Sequence, residues 1–213
     1  MIISVLNQKG GVGKTTLALS LSSYLSKKFK VLVIDADPQN SAINWYLSSD
    51  KEGGFSVINL SQKKIHLEIK EIKQEYDYIV IDGPPRTTEV VRSCILSSDI
   101  ILIPCTPSIY DIWASQETVK LIEEALSFKK NIEYAFVINK KIVKTAIGRD
   151  AVKTLKDLNV PILKSHICQR VAFAEAAAEG KTVLDIEANG KSSLEIKKLV
   201  KEILKKYGKK NKI

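Results

Sequence analysis

Cysteine and histidine, the residues of disulfide frameworks and zinc sites, are scarce in this chain of 213 residues. The three cysteines, Cys94, Cys105 and Cys168, show no CxxC or other spacing typical of metal ligands, and their odd number argues against a disulfide framework. The two histidines, His66 and His166, belong to no serine, histidine and acid arrangement that would indicate nucleophilic catalysis. We therefore expect a protein of the reducing cytoplasm that has neither a metal cluster nor a catalytic triad.

Long apolar runs are also absent. No stretch approaches the roughly 18 residues that a membrane-spanning helix needs. A glycine-rich motif begins within the first ten residues and leaves no room for a signal peptide. We therefore expect a soluble protein without stable membrane insertion. Its length, with 45% hydrophobic and 27% charged residues, suits a single domain over 1–213 with a sizeable core.

Positive charge is concentrated at the C-terminal end. Of the formal net charge of +9, residues 191–213 carry +7, from nine lysines and two glutamates. Such a basic helix and tail would attract nucleic acid or an anionic membrane surface, although a solvated helix face has the same composition. An apolar stripe over 196–207, opposite the lysines, fits either an interfacial membrane helix or packing on a sheet. The stripe contains no Trp or Phe, which favours packing.

Short β-branched runs alternate with stretches of helical spacing along the chain. The runs are 2–6, 31–34, 78–81, 100–103 and 134–138, with a weaker run near 55–60 and a further candidate at 161–163. They are continuously apolar, as strands are when helices cover both faces of a sheet. The sequence therefore predicts an α/β fold, a doubly wound, mostly parallel sheet of about seven strands flanked by helices.

Residues suited to phosphate chemistry follow several of these runs. The first run is followed by a glycine-rich loop, the second by Asp35 and Asp37, the third by Asp82 and the fifth by Asn139. In a doubly wound sheet, ligands bind beyond the carboxyl ends of the strands. Right-handed crossovers would bring these ends to one edge. We therefore predict one crevice that holds a phosphate site, carboxylates and an amide.

The glycine-rich loop has the composition of a phosphate site. Its glycines let backbone amides turn toward phosphate oxygens, Lys14 reaches the β- and γ-phosphates, and the Thr15 hydroxyl ligates magnesium. A helix beginning near Gly13 adds the positive end of its dipole. An ordinary glycine-rich turn between a strand and a helix would not need Lys-Thr-Thr after its last glycine. The loop therefore predicts ATP and Mg²⁺ as cofactors.

The loop departs from the general phosphate-loop pattern at its start. That pattern requires glycine at position 8, where this chain has Gln8, and Lys9 precedes two glycines instead. The segment 9–16, KGGVGKTT, resembles the deviant Walker A motif of the ParA/MinD family of ATPases, a family of deviant P-loop NTPases. The segments similar to further motifs of this family are 35–39, 78–85 and 103–107. The stretch from 169 to 183 is similar to plasmid-partition ParA proteins that lack an N-terminal helix-turn-helix.

The resemblance implies a role for each matching residue. The implied ATP-binding residues are Lys9, Gly10, Gly11, Val12, Gly13, Lys14, Thr15, Thr16 and Asn139. Lys9 and Lys14 would stabilise charge on the transferred phosphoryl group, with Lys9 acting from the other subunit of an ATP-bound sandwich dimer. Thr15 would ligate magnesium directly and Asp82 through water. These assignments make hydrolysis depend on dimerisation.

The sequence leaves the roles of three polar residues, Asp35, Asp37 and Asn139, open between two alternatives. Asp37 is the better candidate for positioning the attacking water, and Asp35 is either the other candidate for that role or a structural cap at the end of its strand. Asn139 would contact the base or end its strand in a turn. The residues after Asn139 lack the aspartate of the guanine-reading N-K-x-D pattern, which favours ATP over GTP.

The resemblance implies a ParA-type ATPase that hydrolyses ATP slowly and is stimulated by a partner. As an ATP dimer it would bind nonspecific DNA at the nucleoid and drive plasmid or chromosome partition with a centromere-binding adaptor protein. The expected DNA contacts are Arg170, Lys197, Lys201 and Lys205. The alternatives are a Min-type ATPase that cycles on a membrane, and a metabolic P-loop phosphotransferase, for which no acceptor site is visible.

Overall fold

The computed structural model describes residues 1–49, 54–62, 64–86, 88–142 and 153–208. Within these residues a single six-stranded sheet has the order β3-β2-β4-β1-β5-β6, and all its pairings are parallel. The strands are β1 Ile2–Val5, β2 Val31–Asp35, β3 Ser56–Asn59, β4 Tyr78–Asp82, β5 Ile100–Cys105 and β6 Glu133–Ile138. The predicted doubly wound parallel fold is therefore confirmed.

Helices cover both faces of the sheet. They are α1 Lys14–Leu25, α2 Ser41–Ser48, α3 Ile65–Ile72, α4 Thr88–Ser97, α5 Ile109–Leu126, α6 Ala172–Ala178, α7 Val183–Ile186 and α8 Lys191–Tyr207, and residues 153–156 are also helical. Successive strand residues point to opposite faces, so Ile34 packs with the core of α3, α4 and α5. Its neighbour Val33 packs with the core of α1, α2 and α8.

The apolar stripe of α8 is part of the second core. Ile196, Leu199, Val200 and Ile203 are all 1% exposed or less. The prediction that this stripe packs on the sheet is confirmed. In the part of the chain that the structure describes, no helix has the length and apolarity needed to cross a membrane.

The prediction of a seventh strand at 161–163 was wrong. This segment forms a single bridge with Phe136 at the edge of the sheet. The next two backbone amides, of Lys164 and Ser165, donate to the Glu202 carboxylate in α8 at 2.9 and 2.8 Å. Because these N–H groups are turned toward α8, a regular ladder beside β6 cannot continue.

Candidate functional site

The glycine-rich loop lies between β1 and α1, at the carboxyl edge of the sheet. Gly11 and Gly13 have φ angles of +76° and +88°, a backbone conformation that side chains other than glycine rarely adopt. A Cβ at Gly13 would also lie 2.4 Å from Nδ2 of Asn139. Since Gly13 directly precedes α1, the free backbone amides of the first turn of α1 adjoin the loop. The loop therefore has the backbone of a phosphate site.

Asn7, immediately before the loop, fastens it to the β5–α5 connection. Its side-chain amide donates to the carbonyl of Pro104 at 2.9 Å and to the Ser115 hydroxyl at 3.0 Å, while its Oδ1 accepts the Lys9 amide at 2.9 Å. Asn7 is 1% exposed. Sequence reasoning missed this residue, and its only signal was a polar side chain at the end of an apolar run.

Lys14 occupies the interior of the loop. It is buried, and its ammonium donates to the carbonyl of Lys9 at 3.1 Å. Burial lowers the pKa of Lys14, and the charges of Asp82 and Asp37 act in the opposite direction. A buried ammonium with a neutral carbonyl as its hydrogen-bond partner would gain most from an anionic ligand, which is what a polyphosphate supplies.

Asp82 ends β4 and is buried beside the loop. Neither of its carboxylate oxygens has a hydrogen-bond partner among the described residues. Burial raises the pKa of Asp82 to about 7, while the neighbouring Thr15 hydroxyl and the Lys14 charge act to lower it. An orphaned buried carboxylate is costly unless a cation compensates it. The residues present therefore fit ATP with Mg²⁺. Thr15 and Asp82 are the residues that would hold the Mg²⁺.

The two aspartates after β2 have different environments. The buried Asp35 carboxylate accepts the amides of Ala42 and Ile43 at 2.8 and 2.9 Å, at the start of α2, and the amide of Asp37 at 3.1 Å. Asp37 is partly exposed and accepts the amide of Gln39. Asp35 is thus engaged as a cap, and the geometry favours Asp37 for the attacking water. That catalytic role stays a prediction.

Asn139 follows β6 and braces the loop. It is buried, and its Nδ2 donates to the carbonyl of Val12 at 2.7 Å. A cleft of about 300 Å³ opens beside it, lined also by Thr16, Gln169 and Phe173. This volume is at the lower end of the range for small-molecule sites. Base contact by Asn139 stays a prediction, and the structure adds a role in holding the loop.

Lys9, the predicted residue for action on the partner subunit, is paired with α5. Its ammonium lies 3.7 Å from Oδ1 of Asp111, and its side chain is 44% exposed. The other Asp111 oxygen accepts the Thr106 hydroxyl. Lys9 is therefore at the surface, whereas Lys14 is inside the loop. This position is compatible with action on a neighbouring molecule, which remains a prediction.

Three of the four predicted DNA contacts are lysines of α8, and the fourth, Arg170, precedes α6 and contacts α8 through Glu195. The Arg170 guanidinium binds Glu195 at 2.6 Å, and Lys197 donates to the carbonyl of Ala188. Lys201 and Lys205 are exposed. At 1.5 Å per residue, the positions from Glu195 to Lys205 span about 15 Å of helix. Arg170 is therefore already paired with an acidic side chain of this chain. Its contact with DNA stays a prediction, and so do the contacts of the three lysines.

The parallel sheet, the glycine loop before α1 and the orphaned carboxylate after β4 define a P-loop nucleotide-binding protein. The profile described as "CobQ/CobB/MinD/ParA nucleotide binding domain" matches residues 3–183, and the chain belongs to this family.

Particular relatives cover nearly the whole chain. It is 31% identical, over 207 residues and 95% of both chains, to Maintenance of carboxysome distribution protein A of Halothiobacillus neapolitanus. Its fold is similar to an ATP complex of McdA from Cyanothece, with a TM-score of 0.82 and 19% identity over 96% of both chains. It is also similar to the MinD cell division protein of Aquifex aeolicus, with a TM-score of 0.79 and 21% identity over 96% of this chain and 97% of that one.

Proposed function

We propose that this protein is a ParA-type ATPase that converts ATP and water to ADP and phosphate within an ATP-dependent sandwich dimer. The observation that carries the proposal is the orphaned Asp82 carboxylate beside the buried Lys14 and Thr15 of a phosphate loop. Magnesium, when bound, would neutralise charge on the β- and γ-phosphates. Membership of the nucleotide-binding family and the fold shared with an ATP complex support this proposal.

The chain's own residues supply the rest of the proposed chemistry. Asp37 orients a water whose oxygen attacks the γ-phosphorus, and the bond from that phosphorus to the β–γ bridging oxygen breaks. Lys14 stabilises negative charge on the phosphates of its own subunit. Lys9 does so on the partner's phosphates and links hydrolysis to dimerisation.

The proposed cargo is DNA, moved at the nucleoid in the cytoplasm with a centromere-binding adaptor that stimulates hydrolysis. An ATP dimer joins two segments of charge +7 in one rigid body, which raises nonspecific affinity for a polyanion without a base-reading element. Similarity to plasmid-partition ParA proteins over 169–183 supports this cargo. A protein body is the second candidate, favoured by the likeness to the Halothiobacillus carboxysome distribution protein.

The Min-type alternative has less support in this chain. It would need an amphipathic helix whose apolar face is available to the membrane, whereas the stripe of α8 is buried in the core. The metabolic phosphotransferase alternative is favoured by no particular observation of the site.

A binding assay tests the proposal and separates its alternatives. We expect the wild type with a slowly hydrolysed ATP analogue to bind a random-sequence duplex at least about tenfold more tightly than with ADP, with affinity falling steeply as salt rises. Fluorescence anisotropy measures this binding, and sedimentation with phosphatidylglycerol vesicles is run in parallel. Equal binding in both nucleotide states would contradict DNA partition. ATP-dependent binding to vesicles alone would favour a Min-type cycle.

A further inference from the structure

Two consecutive residues after β6 hold two consecutive carbonyls of the phosphate loop. The Lys140 ammonium donates to the carbonyl of Gly11 at 2.7 Å. The Asn139 side-chain amide donates to the carbonyl of Val12, also at 2.7 Å. No carboxylate among the described residues forms an ion pair with Lys140, so its ammonium is committed to the loop. We call Asn139 and Lys140 the β6 brace.

The β6 brace determines which way two amides of the loop face. The peptide bonds of the described residues are trans, and in a trans peptide the carbonyl of one residue and the N–H of the next point in opposite directions. Drawing the Gly11 carbonyl toward Lys140 therefore turns the Val12 N–H away from Lys140. The contact of Asn139 with the Val12 carbonyl does the same for the Gly13 N–H. Consecutive N–H groups on one side of a loop form a concave site for an anion.

Lys140 adopts a backbone conformation that stability alone would not select. Its φ angle is +51°, in the left-handed region where Asn and Gly are favoured over lysine. On one side the Asn139 amide donates to the Cys105 carbonyl at 2.8 Å, and on the other the Lys141 amide donates to the Ile167 carbonyl at 3.0 Å. Strain of this kind persists where the surrounding structure holds it for a function. The contact with the loop accounts for a long cationic side chain at this position.

We propose that Lys140 is a positioning residue of the phosphate site, whose ammonium holds the Gly11 carbonyl so that the loop amides face the polyphosphate before it binds. The inference rests on the proposed function, in which this loop holds ATP. Glycine has more backbone freedom than any other residue, and a loop that is already ordered loses less of it on binding. Lys140 therefore assists capture of the polyphosphate chain and not of the base.

Two replacements of Lys140 test this role. Asn at position 140 is too short to reach Gly11, whereas Arg retains both the length and the charge. We expect Lys140→Asn to weaken binding of ATP and of inorganic triphosphate, each with Mg²⁺, by about tenfold, and Lys140→Arg to bind both within about threefold of the wild type. Calorimetric titration of the dilute protein measures these affinities. A loss with ATP but not with inorganic triphosphate would place Lys140 at the base and overturn the inference.

Stability distinguishes positioning from a purely structural role. Because Asn tolerates the left-handed conformation better than lysine, Lys140→Asn should unfold at a urea concentration no lower than that of the wild type. Affinity and stability should therefore change independently. A clearly lower urea midpoint in Lys140→Asn, accompanied by the loss of affinity, would make Lys140 a structural residue and overturn the inference.

The matched control removes the same charge one residue further along the chain. Lys141 lines a different cavity, of about 270 Å³, together with Ile162 and Lys164. Lys141→Asn should bind ATP within about twofold of the wild type. The loss in Lys140→Asn should also persist between 0.05 and 0.5 M NaCl, because salt screens attraction between exposed charges more than a hydrogen bond in contact. An equal loss in both variants, or one that disappears at high salt, would mean that charge alone acts.

The outcomes separate this inference from the proposed function. A wild type that binds neither ATP nor inorganic triphosphate would overturn both. A wild type that binds ATP, with Lys140→Asn binding it as tightly, would overturn the positioning role of Lys140 alone. Loss of binding in Lys140→Asn that Lys140→Arg restores, at an undiminished urea midpoint, is the result that the inference requires.

Discussion

Two lysines of the phosphate loop, five residues apart, have opposite environments. Lys14 is buried against the carbonyl of Lys9, and its lowered pKa reflects burial. Lys9 is at the surface and pairs with Asp111. An interior ammonium contributes to nucleotide capture within one subunit, whereas a surface ammonium is available to a second molecule. Replacing Lys14 should therefore impair nucleotide binding, whereas replacing Lys9 should impair the interaction with a second molecule.

We expect Lys14→Ala to fold and to lose ATP affinity by at least about tenfold, since a charge-assisted contact with phosphate contributes roughly 1.5–3 kcal/mol. Lys9→Ala should bind ATP within about threefold of the wild type but remain monomeric and inactive. Calorimetric titration gives the affinities, and light scattering with a slowly hydrolysed analogue gives the oligomeric state. A normal ATP dimer in Lys9→Ala would refute the role of Lys9 across the interface.

At the scale of elements, α2 is held at both ends, and this fixes the loop that carries Asp37. Its first amides bind Asp35, while its other end packs on the turn at Gly180. A Cβ at Gly180, which has a φ of +64°, would lie 2.6 Å from the carbonyl oxygen of Ser48. Asp37 is thus carried on a short segment between a buried strand and an anchored helix.

Replacing the two aspartates after β2 should separate stability from catalysis. Asp35→Asn puts an amide nitrogen opposite backbone N–H groups, and we expect it to lower the free energy of unfolding by about 1–3 kcal/mol. Asp37→Asn, the matched control, should unfold like the wild type and form the ATP dimer, but hydrolyse ATP poorly. Urea denaturation and a phosphate-release assay measure these effects. Equal loss of stability in both variants would contradict the assignment of Asp35 as the cap.

The sequence predicts elements that local pattern determines and fails where tertiary contacts decide. Four of the continuous apolar runs form the central strands of the sheet, because strands covered on both faces need such residues, and the run 134–138 and the weaker run near 55–60 form the edge strands β6 and β3. The segment 161–163 has a similar composition, but Glu202 of α8 takes the amides that follow it. The pairing of Lys9 with Asp111 could not be predicted from the sequence either, because no local pattern joins residues so distant in sequence.

At the scale of the whole molecule, two glutamates fasten the basic α8 to the protein. Glu195 accepts the amide of Cys168 and pairs with Arg170, and Glu202 accepts two loop amides and pairs with Lys206. Burial opposes ionisation, but these hydrogen bonds and cations outweigh it and lower the pKa of both carboxyl groups. Arg170 therefore contributes to the attachment of α8, so its loss would disturb the structure as well as any DNA contact.

The exposed lysines of α8 give a cleaner test of DNA binding than Arg170. Lys201 and Lys205 are one turn apart on the solvent side of the helix, and the ATP dimer would present two such pairs. Each phosphate contact contributes close to 0.9 to the slope of log affinity against log salt. If all four lysines contact phosphates, Lys201→Ser with Lys205→Ser should reduce that slope by about 3–4 and weaken binding to every duplex sequence alike.

The matched control removes the same charge elsewhere. Lys70 and Lys73 are exposed on α3 and at its C-terminal end, and α3 packs on the face of the sheet opposite to α8. Lys70→Ser with Lys73→Ser should retain the salt slope of the wild type, because these two lysines lie on the other side of the sheet from the proposed DNA surface. Anisotropy titrations at four salt concentrations compare the three proteins with the ATP analogue bound. An equal loss of slope in both double variants would mean that total charge governs binding, and would contradict a DNA surface on α8.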